Sequence, residues 1–304
     1  MRIVVALGGN ALLERGEKPD AKTQIKNVNK AAEALASLAS EHELVLTHGN
    51  GPQVGVLALQ SAADETLTEP YPFDTLGAMT QGMIGYWMLQ ELQNALPGKS
   101  VAAMVGQTLV DAEDPAFDTP TKFVGTVYDE DEANRLAAER GWSIKADGTK
   151  WRRVVGSPKP KGLVEIETVK QLVESGTTVI CSGGGGVPVV RGDDGSLHGV
   201  EAVIDKDLSA ARIAEDLKAD MLMILTDVPQ VMKNFGQPDA EAIGKTTTSE
   251  LRAMDLPAGS MGPKVDACCN FVEVTGGTAA IGRLADAVEI VKGTCGTIIT
   301  TDGD

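Results

Sequence analysis

Short apolar runs alternate with amphipathic stretches along the chain. Arg2–Leu7, Glu43–Thr47, Ser100–Val105, Thr177–Cys181, Leu222–Thr226, Ala279–Gly282 and Thr297–Thr301 carry little polar alternation. Such runs predict strands buried on both faces, as in a parallel sheet covered by helices. Between them Ile25, Val28, Ala32, Leu35 and Leu38 recur at helical spacing. So do Ile166, Val169, Leu172 and Val173, with Gly176 placed to end that helix, and Leu284, Val288 and Val291 ahead of Gly293. The expectation is an α/β protein: one domain over residues 1–304, a three-layer αβα sandwich with a mostly parallel central sheet. Its site is expected at the carboxyl ends of the strands.

Two stretches read differently. From Asp114 to Pro160 the helical and strand periods weaken, and Ser143–Val155 reads as a hairpin turning at Asp147–Gly148. Residues 114–160 are read as an inserted, protruding lid subdomain, with a ribbon that only decorates a sheet edge as the alternative. In Gly77–Leu92, Met79, Met83, Trp87 and Met88 fall at helical spacing and predict a core helix. A partner-binding surface is the other reading of that run.

Composition narrows the function. The 27 Lys+Arg against 43 Asp+Glu give a net charge of −16, and aromatics are 4% of the 304 residues. A nucleic-acid protein needs a basic face and usually stacking rings, so nucleic acid is excluded as the expected partner. The four cysteines (Cys181, Cys268, Cys269 and Cys295) and three histidines lack the spacing of a zinc site or a disulfide framework. The Met1–Gly9 run is too short for a signal peptide, and no stretch has the roughly 18 apolar residues that span a bilayer. The expectation is a soluble, cytoplasmic protein with no membrane partner.

Several nucleotide signatures fail. Gly98–Lys99–Ser100 and Gly244–Lys245–Thr246 resemble the end of a P-loop, but Gln93 and Asp239 stand where its first glycine belongs. Gly49–Asn50–Gly51 is followed by Val54, not by the third glycine of a dinucleotide fingerprint, and no G-x-S-x-G elbow exists.

What remains is glycine at strand ends and lysine at turns. Gly8–Gly9–Asn10, Gly49–Asn50–Gly51–Pro52 and Ser182–Gly186 each follow a predicted strand. Amides in such turns, backed by helix N-termini, form concavities that bind anions. Ala202–Ile204 reads as strand-like and ends in Asp205–Lys206–Asp207. Gly259–Lys264 leads into a helix with a lysine in its first turn, and Thr119–Lys122 places a lysine in a turn of the lid. A chain this acidic repels phosphates at long range, but a local cation cluster outweighs distant charge beyond a screening length of about 8 Å. The chemistry that suits this set is phosphoryl transfer by alignment and electrostatic stabilisation, with Asp207 orienting Lys206 and Lys264.

VALGGNALL (5–13), HGNGPQVG (48–55), PYPFDTLGAMTQGMIGYW (70–87), SGGGGVPVV (182–190), EAVIDKDLSA (201–210), LTDV (225–228) and GSMGPKV (259–265) resemble carbamate kinase, of the amino acid kinase superfamily. The resemblance implies ATP + carbamate ⇌ ADP + carbamoyl phosphate, with ATP/ADP and Mg2+, in a homodimer of arginine metabolism. It implies catalytic roles for Lys122, Lys206, Asp207 and Lys264. Substrate contacts fall to Gly8, Gly9, Asn10, Gly49, Asn50 and Gly51. Nucleotide contacts fall to Lys206, Asp227, Val228, Met232, Phe235, Gly262 and Lys264. Residues 1–212 would be the acceptor half and 213–304 the nucleotide half. Another small-carboxylate kinase of the superfamily, or a non-catalytic nucleotide sensor, is the alternative. This chain departs from the family at Phe123, at Lys161 and at Pro229–Met232.

Overall fold

The Arg2–Leu7 strand sits in the middle of the sheet because everything after Arg2 in it is apolar, with nothing polar on either face. The computed structural model describes residues 1–14, 16–254, 256 and 261–303, without the side chain of Asn10. Strands β1 to β6 are Arg2–Leu7, Glu43–His48, Val101–Ala103, Gln107–Leu109, Lys122–Tyr128 and Ser143–Asp147. Strands β7 to β12 are Lys150–Val155, Gly162–Leu163, Thr178–Ile180, Val187–Arg191, Leu197–Gly199 and Met221–Thr226. Strands β13 to β17 are Val231–Lys233, Glu241–Ile243, Lys245–Thr247, Thr278–Arg283 and Thr297–Thr300. Helices α1 to α5 are Ala21–Glu41, Gly51–Ala63, Phe73–Ala95, Glu130–Arg140 and Ile166–Glu174. Helices α6 to α9 are Lys206–Asp216, Thr248–Arg252, Gly262–Thr275 and Ala287–Val291.

The central sheet runs β15-β17-β16-β12-β1-β2-β9-β3. Its pairs are parallel except β16 with β17. Alternate residues of one strand face opposite layers, as the two-residue strand period requires. Val4 and Ala6 of β1 and Leu222 and Ile224 of β12 pack with α5, α6 and α8. Ile3, Val5, Leu7, Met223 and Leu225 pack with α1, α3 and α9. The three-layer αβα sandwich with a mostly parallel sheet is therefore present. The chain leaves β1 for β2 on one side and returns as β12 on the other, so the carboxyl end of β1 is a point where the winding reverses.

Some local expectations are revised. Ala202–Ile204 is not a strand; it makes one parallel bridge, Gly156 with Ala202, and is otherwise irregular. Lys122 is not in a turn but opens β5. Along α3, Trp87 and Met88 are buried as a core helix requires, but Met79 is 41% exposed and Tyr86 56%. Between residues 114 and 160, β5, β7 and β6 form a separate antiparallel sheet with α4 against it. The β6–β7 hairpin turns at Gly148–Thr149, one position later than the expected Asp147–Gly148 because Asp147 pairs with Lys150, and Gly148 has φ +65°. Val124 and Val155 on its inner face pack with Val54, Phe73 and Leu76 of α2 and α3.

Candidate active site

The glycine loops after β1 and β2 meet at the carboxyl edge of the sheet. A Cβ on Gly49 would lie 3.0 Å from Gly9 N and 3.6 Å from Lys206 Cε, so one spot holds both loops and the lysine. A Cβ on Gly8 would lie 3.0 Å from Leu225 O at the end of β12. Glycine is needed at both places because backbone passes where a side chain would begin.

A cluster of two carboxylates and three lysines is built at the N-terminus of α6. Asp205 caps that helix: its Oδ1 accepts from the amides of Asp207 (2.9 Å) and Leu208 (3.3 Å). Its Oδ2 accepts from Lys122 Nζ at 3.1 Å. Lys206 donates to Asp207 Oδ1, and Lys264, from the first turn of α8, donates to Asp207 Oδ2 at 2.8 Å. Three lysines from three parts of the chain thus converge on one helix end. Burial pulls the Lys206 pKa below its ordinary value, against the attraction of Asp207, and the like charge of Lys264 adds to the lowering. Burial alone would raise the Asp207 carboxyl, but Lys206 and Lys264 outweigh it and hold that group below the usual carboxylate value.

The backbone amides divide into two sets. Gly8 donates to Leu225 O (2.8 Å) and Gly49 to Leu7 O (3.0 Å), so these two amides belong to the sheet and not to an anion. A Cβ at Gly9 or Gly51 would meet nothing within 4 Å, so open space adjoins those residues. Gly51 starts α2, Lys206 starts α6 and Gly262 starts α8, so three positive helix ends belong to segments meeting in this cluster. Asn50 donates to Thr80 Oγ1 (2.9 Å), which in turn donates to Gly77 O, and α3 so orients the side chain.

The Ser182–Gly186 loop is a buried floor and not an open anion turn. Cβ atoms on Gly183, Gly184 and Gly186 would collide with His48, Asn50 and Thr108, and one on Gly185 would lie 2.6 Å from Ile204 O. The amides of Gly185 and Gly186 close the turn on Ser182 and Gly183. His48, fully enclosed above it, is pushed down to about 4 by burial, opposed by its bond to Gly49 O and assisted by Lys206. It is a neutral packing residue at ordinary pH.

On the other side, Thr226, whose Oγ1 would lie 3.9 Å from a Cβ on Gly8, donates to Asp227 Oδ1 at 3.1 Å, and Asp227 and Val228 follow β12. Met232 lies on β13, and Phe235, 69% exposed, follows it before β14. Gly259 and Ser260 of the glycine-lysine motif, and the side chain of Asn10, lie outside the described residues. Sequence reasoning missed Asp205 as a cap and lysine partner, and Thr80 as the support of Asn50. An Asp immediately ahead of a helical stretch is a capping signal that could have found the first. Nothing local marks Thr80, because its partner lies 30 positions away.

Among the described residues no cluster of His, Cys, Asp or Glu is arranged to hold a metal, and no helix is long and apolar enough to cross a membrane. Asp205 and Asp207 are both engaged by lysines, so they do not offer a ready cation cage.

The model of the amino acid kinase family matches residues 1–282. A carbamate kinase from Rhizobium meliloti is 52% identical over 304 residues, covering 99% of this chain and 94% of the relative. One from Haemophilus influenzae is 52% identical over 301 residues, covering 99% and 97%. The solved structure of a carbamate kinase from Giardia lamblia bound to AMP-PNP superposes with a TM-score of 0.92 at 42% identity, covering 99% of this chain and 98% of that one. With the lysine cluster and glycine loops in place across the same span, the chain belongs to the amino acid kinase family and, within it, to the carbamate kinases.

Proposed function

We propose that this carbamate kinase moves a phosphoryl group reversibly between ATP and carbamate at the N-terminus of α6. Lys206 and Lys264 neutralise the phosphate oxygens between which the group moves. Asp207 keeps the two ammonium groups side by side, and Lys122 reaches in from residues 114–160 acting as a lid. Gly8, Gly9, Asn10, Gly49, Asn50 and Gly51 hold carbamate and the transferring group, the amides of Gly8 and Gly49 serving only as backbone support. Residues 1–212 form the acceptor half. Residues 213–304 form the nucleotide half, where Asp227, Val228, Met232, Phe235 and Gly262 line the nucleotide.

The observation that carries this reading is one buried carboxylate, Asp207, holding a lysine on each oxygen. Two like charges beside helix N-termini repel each other and the helix dipoles, and a polyanion bound among them relieves both. Phosphoryl transfer asks for little covalent chemistry from a protein, and a fixed array of cations supplies what it does ask for. Mg2+, when it accompanies ATP, is held mainly by phosphate oxygens and water and shields their charge.

We also propose a homodimer, supported by Met79 and Tyr86, which stand exposed seven residues apart on one face of α3, and by exposed Leu59 on α2. Its setting in the cytoplasm and in arginine metabolism follows from the family resemblance. The deciding experiment is ATP formation from ADP and carbamoyl phosphate, repeated with Lys206→Ala. Wild-type activity with a fall of about 10²- to 10³-fold in the variant is expected. Unchanged turnover in the variant overturns the role given to Lys206.

A further inference from the structure

Arg153 lies on β7 directly opposite Val124 of β5, two residues from Lys122. Residues two apart on a strand share a face, and cross-strand partners share it too. Lys122, Val124, Arg153 and Val155 therefore all point to the inner side of the small sheet, where Val124 and Val155 pack on α2 and α3. The Arg153 guanidinium stands 5.1 Å from the ring centroid of Phe73, at the start of α3, and 4.7 Å from that of Trp142. It donates to Glu201 Oε1 at 2.7 Å, while its Nε is buried without a partner. Glu201 belongs to the segment that runs directly into Asp205, Lys206 and Asp207. That segment is also tied to the end of β7 by Val203 N donating to Gly156 O at 3.1 Å.

We propose that Arg153 is a positioning residue for phosphoryl transfer: by clamping β7 between Phe73 and Glu201, it sets the reach of Lys122 to the N-terminus of α6. A planar cation serves this purpose where an alkyl chain does not, because it stacks on two rings and keeps donors for a carboxylate. Among the described residues Lys122 has one ion pair, to Asp205, with its side chain 38% exposed, and such a partly exposed pair holds it weakly. The precision of its placement comes from the clamp. The inference rests on Lys122 acting at the transferred group.

The test compares ATP formation from ADP and carbamoyl phosphate in Arg153→Met, Glu201→Gln, Lys122→Ala and the Lys122→Ala/Arg153→Met double variant, with a thermal melt of each. Misplacing a catalytic group by about 1 Å costs up to about 10²-fold, so Arg153→Met is expected to lose about 10- to 100-fold in kcat. The double variant is expected to be no more than about twofold slower than Lys122→Ala, because Arg153 acts through Lys122. A purely structural role would make the two losses multiply, and that result overturns the inference. Wild-type kcat in Arg153→Met beside a slow Lys122→Ala overturns it while leaving the Lys122 role standing. Wild-type kcat in Lys122→Ala removes both. Should Arg153→Met fail to fold, Glu201→Gln decides, since it removes the ion pair and leaves both rings covered. A fall of about two- to fivefold in kcat is expected there, and no change overturns the proposal.

Discussion

Lys122 and Asp205 are 83 positions apart, yet Lys122 Nζ stands 3.1 Å from Asp205 Oδ2 while Oδ1 of the same carboxylate caps α6. One side chain therefore joins the small sheet to the helix that carries Lys206 and Asp207.

The two tasks of Asp205 separate by substitution. Asp205→Asn keeps a capping oxygen and loses the charge, whereas Asp205→Ala loses both. The alanine variant is expected to be about 1 kcal/mol less stable than the asparagine variant in urea unfolding. The ion pair itself is partly exposed and contributes little, so the asparagine variant should unfold within about 1 kcal/mol of the parent.

Removing Asp207 strands two cations. Asp207→Ala is expected to destabilise the protein by about 3–5 kcal/mol, the usual effect of breaking a buried pair from one side. ADP or ATP should then raise the melting temperature of the variant by more than that of the parent, because nucleotide phosphates replace the missing negative charge. Equal shifts in parent and variant would count against phosphates sitting on these lysines.

Acid sensitivity should trace in part to His48. Its pKa of about 4 in the folded chain lies below the ordinary value of 6.5, so between these values the unfolded chain binds the extra proton. Stability from keeping it neutral is therefore complete above pH 6.5 and falls as pH drops toward 4. The loss across that window is about 3 kcal/mol. Unfolding curves of the parent and His48→Gln at pH 7 and pH 4.5 measure it: the gap between them should narrow at the lower pH.

Two glycines should respond oppositely to alanine. Gly184 has φ +68° and its Cβ would strike Asn50, so Gly184→Ala is expected to cost at least about 1–2 kcal/mol of stability. Gly51 has nothing near its Cβ, so Gly51→Ala should melt within a few degrees of the parent. If an anion sits against the start of α2, that added methyl should instead raise the KM for carbamoyl phosphate, read in the ATP-forming assay.

Periodicity along the chain determined the layers. The stretches Ile3–Leu7, Leu44–Leu46 and Met221–Leu225 of β1, β2 and β12 have no polar face to turn outward, so they can only be interior parallel strands, and helices with the stripe seen at Val28, Leu35 and Leu38 must cover them. The turn at Gly148 was legible to within one residue because a glycine at positive φ is a local requirement. Motif order also named the lysines and the glycine loops. Tertiary structure decided what each of these residues does. Gly8 and Gly49 look alike as anion loops, but their amides are already donated to neighbouring strands, and Ser182–Gly186 is a floor under Asn50 and His48. Ala202–Ile204 has the composition of a strand and makes only one bridge, because Asp205 starts a helix three residues after the bridge. The pairing of Lys122 with Asp205, of Lys264 with Asp207 and of Arg153 with Glu201 joins residues 83, 57 and 48 positions apart. Such contacts follow from how layers stack and not from neighbours in the chain, so no local pattern encodes them.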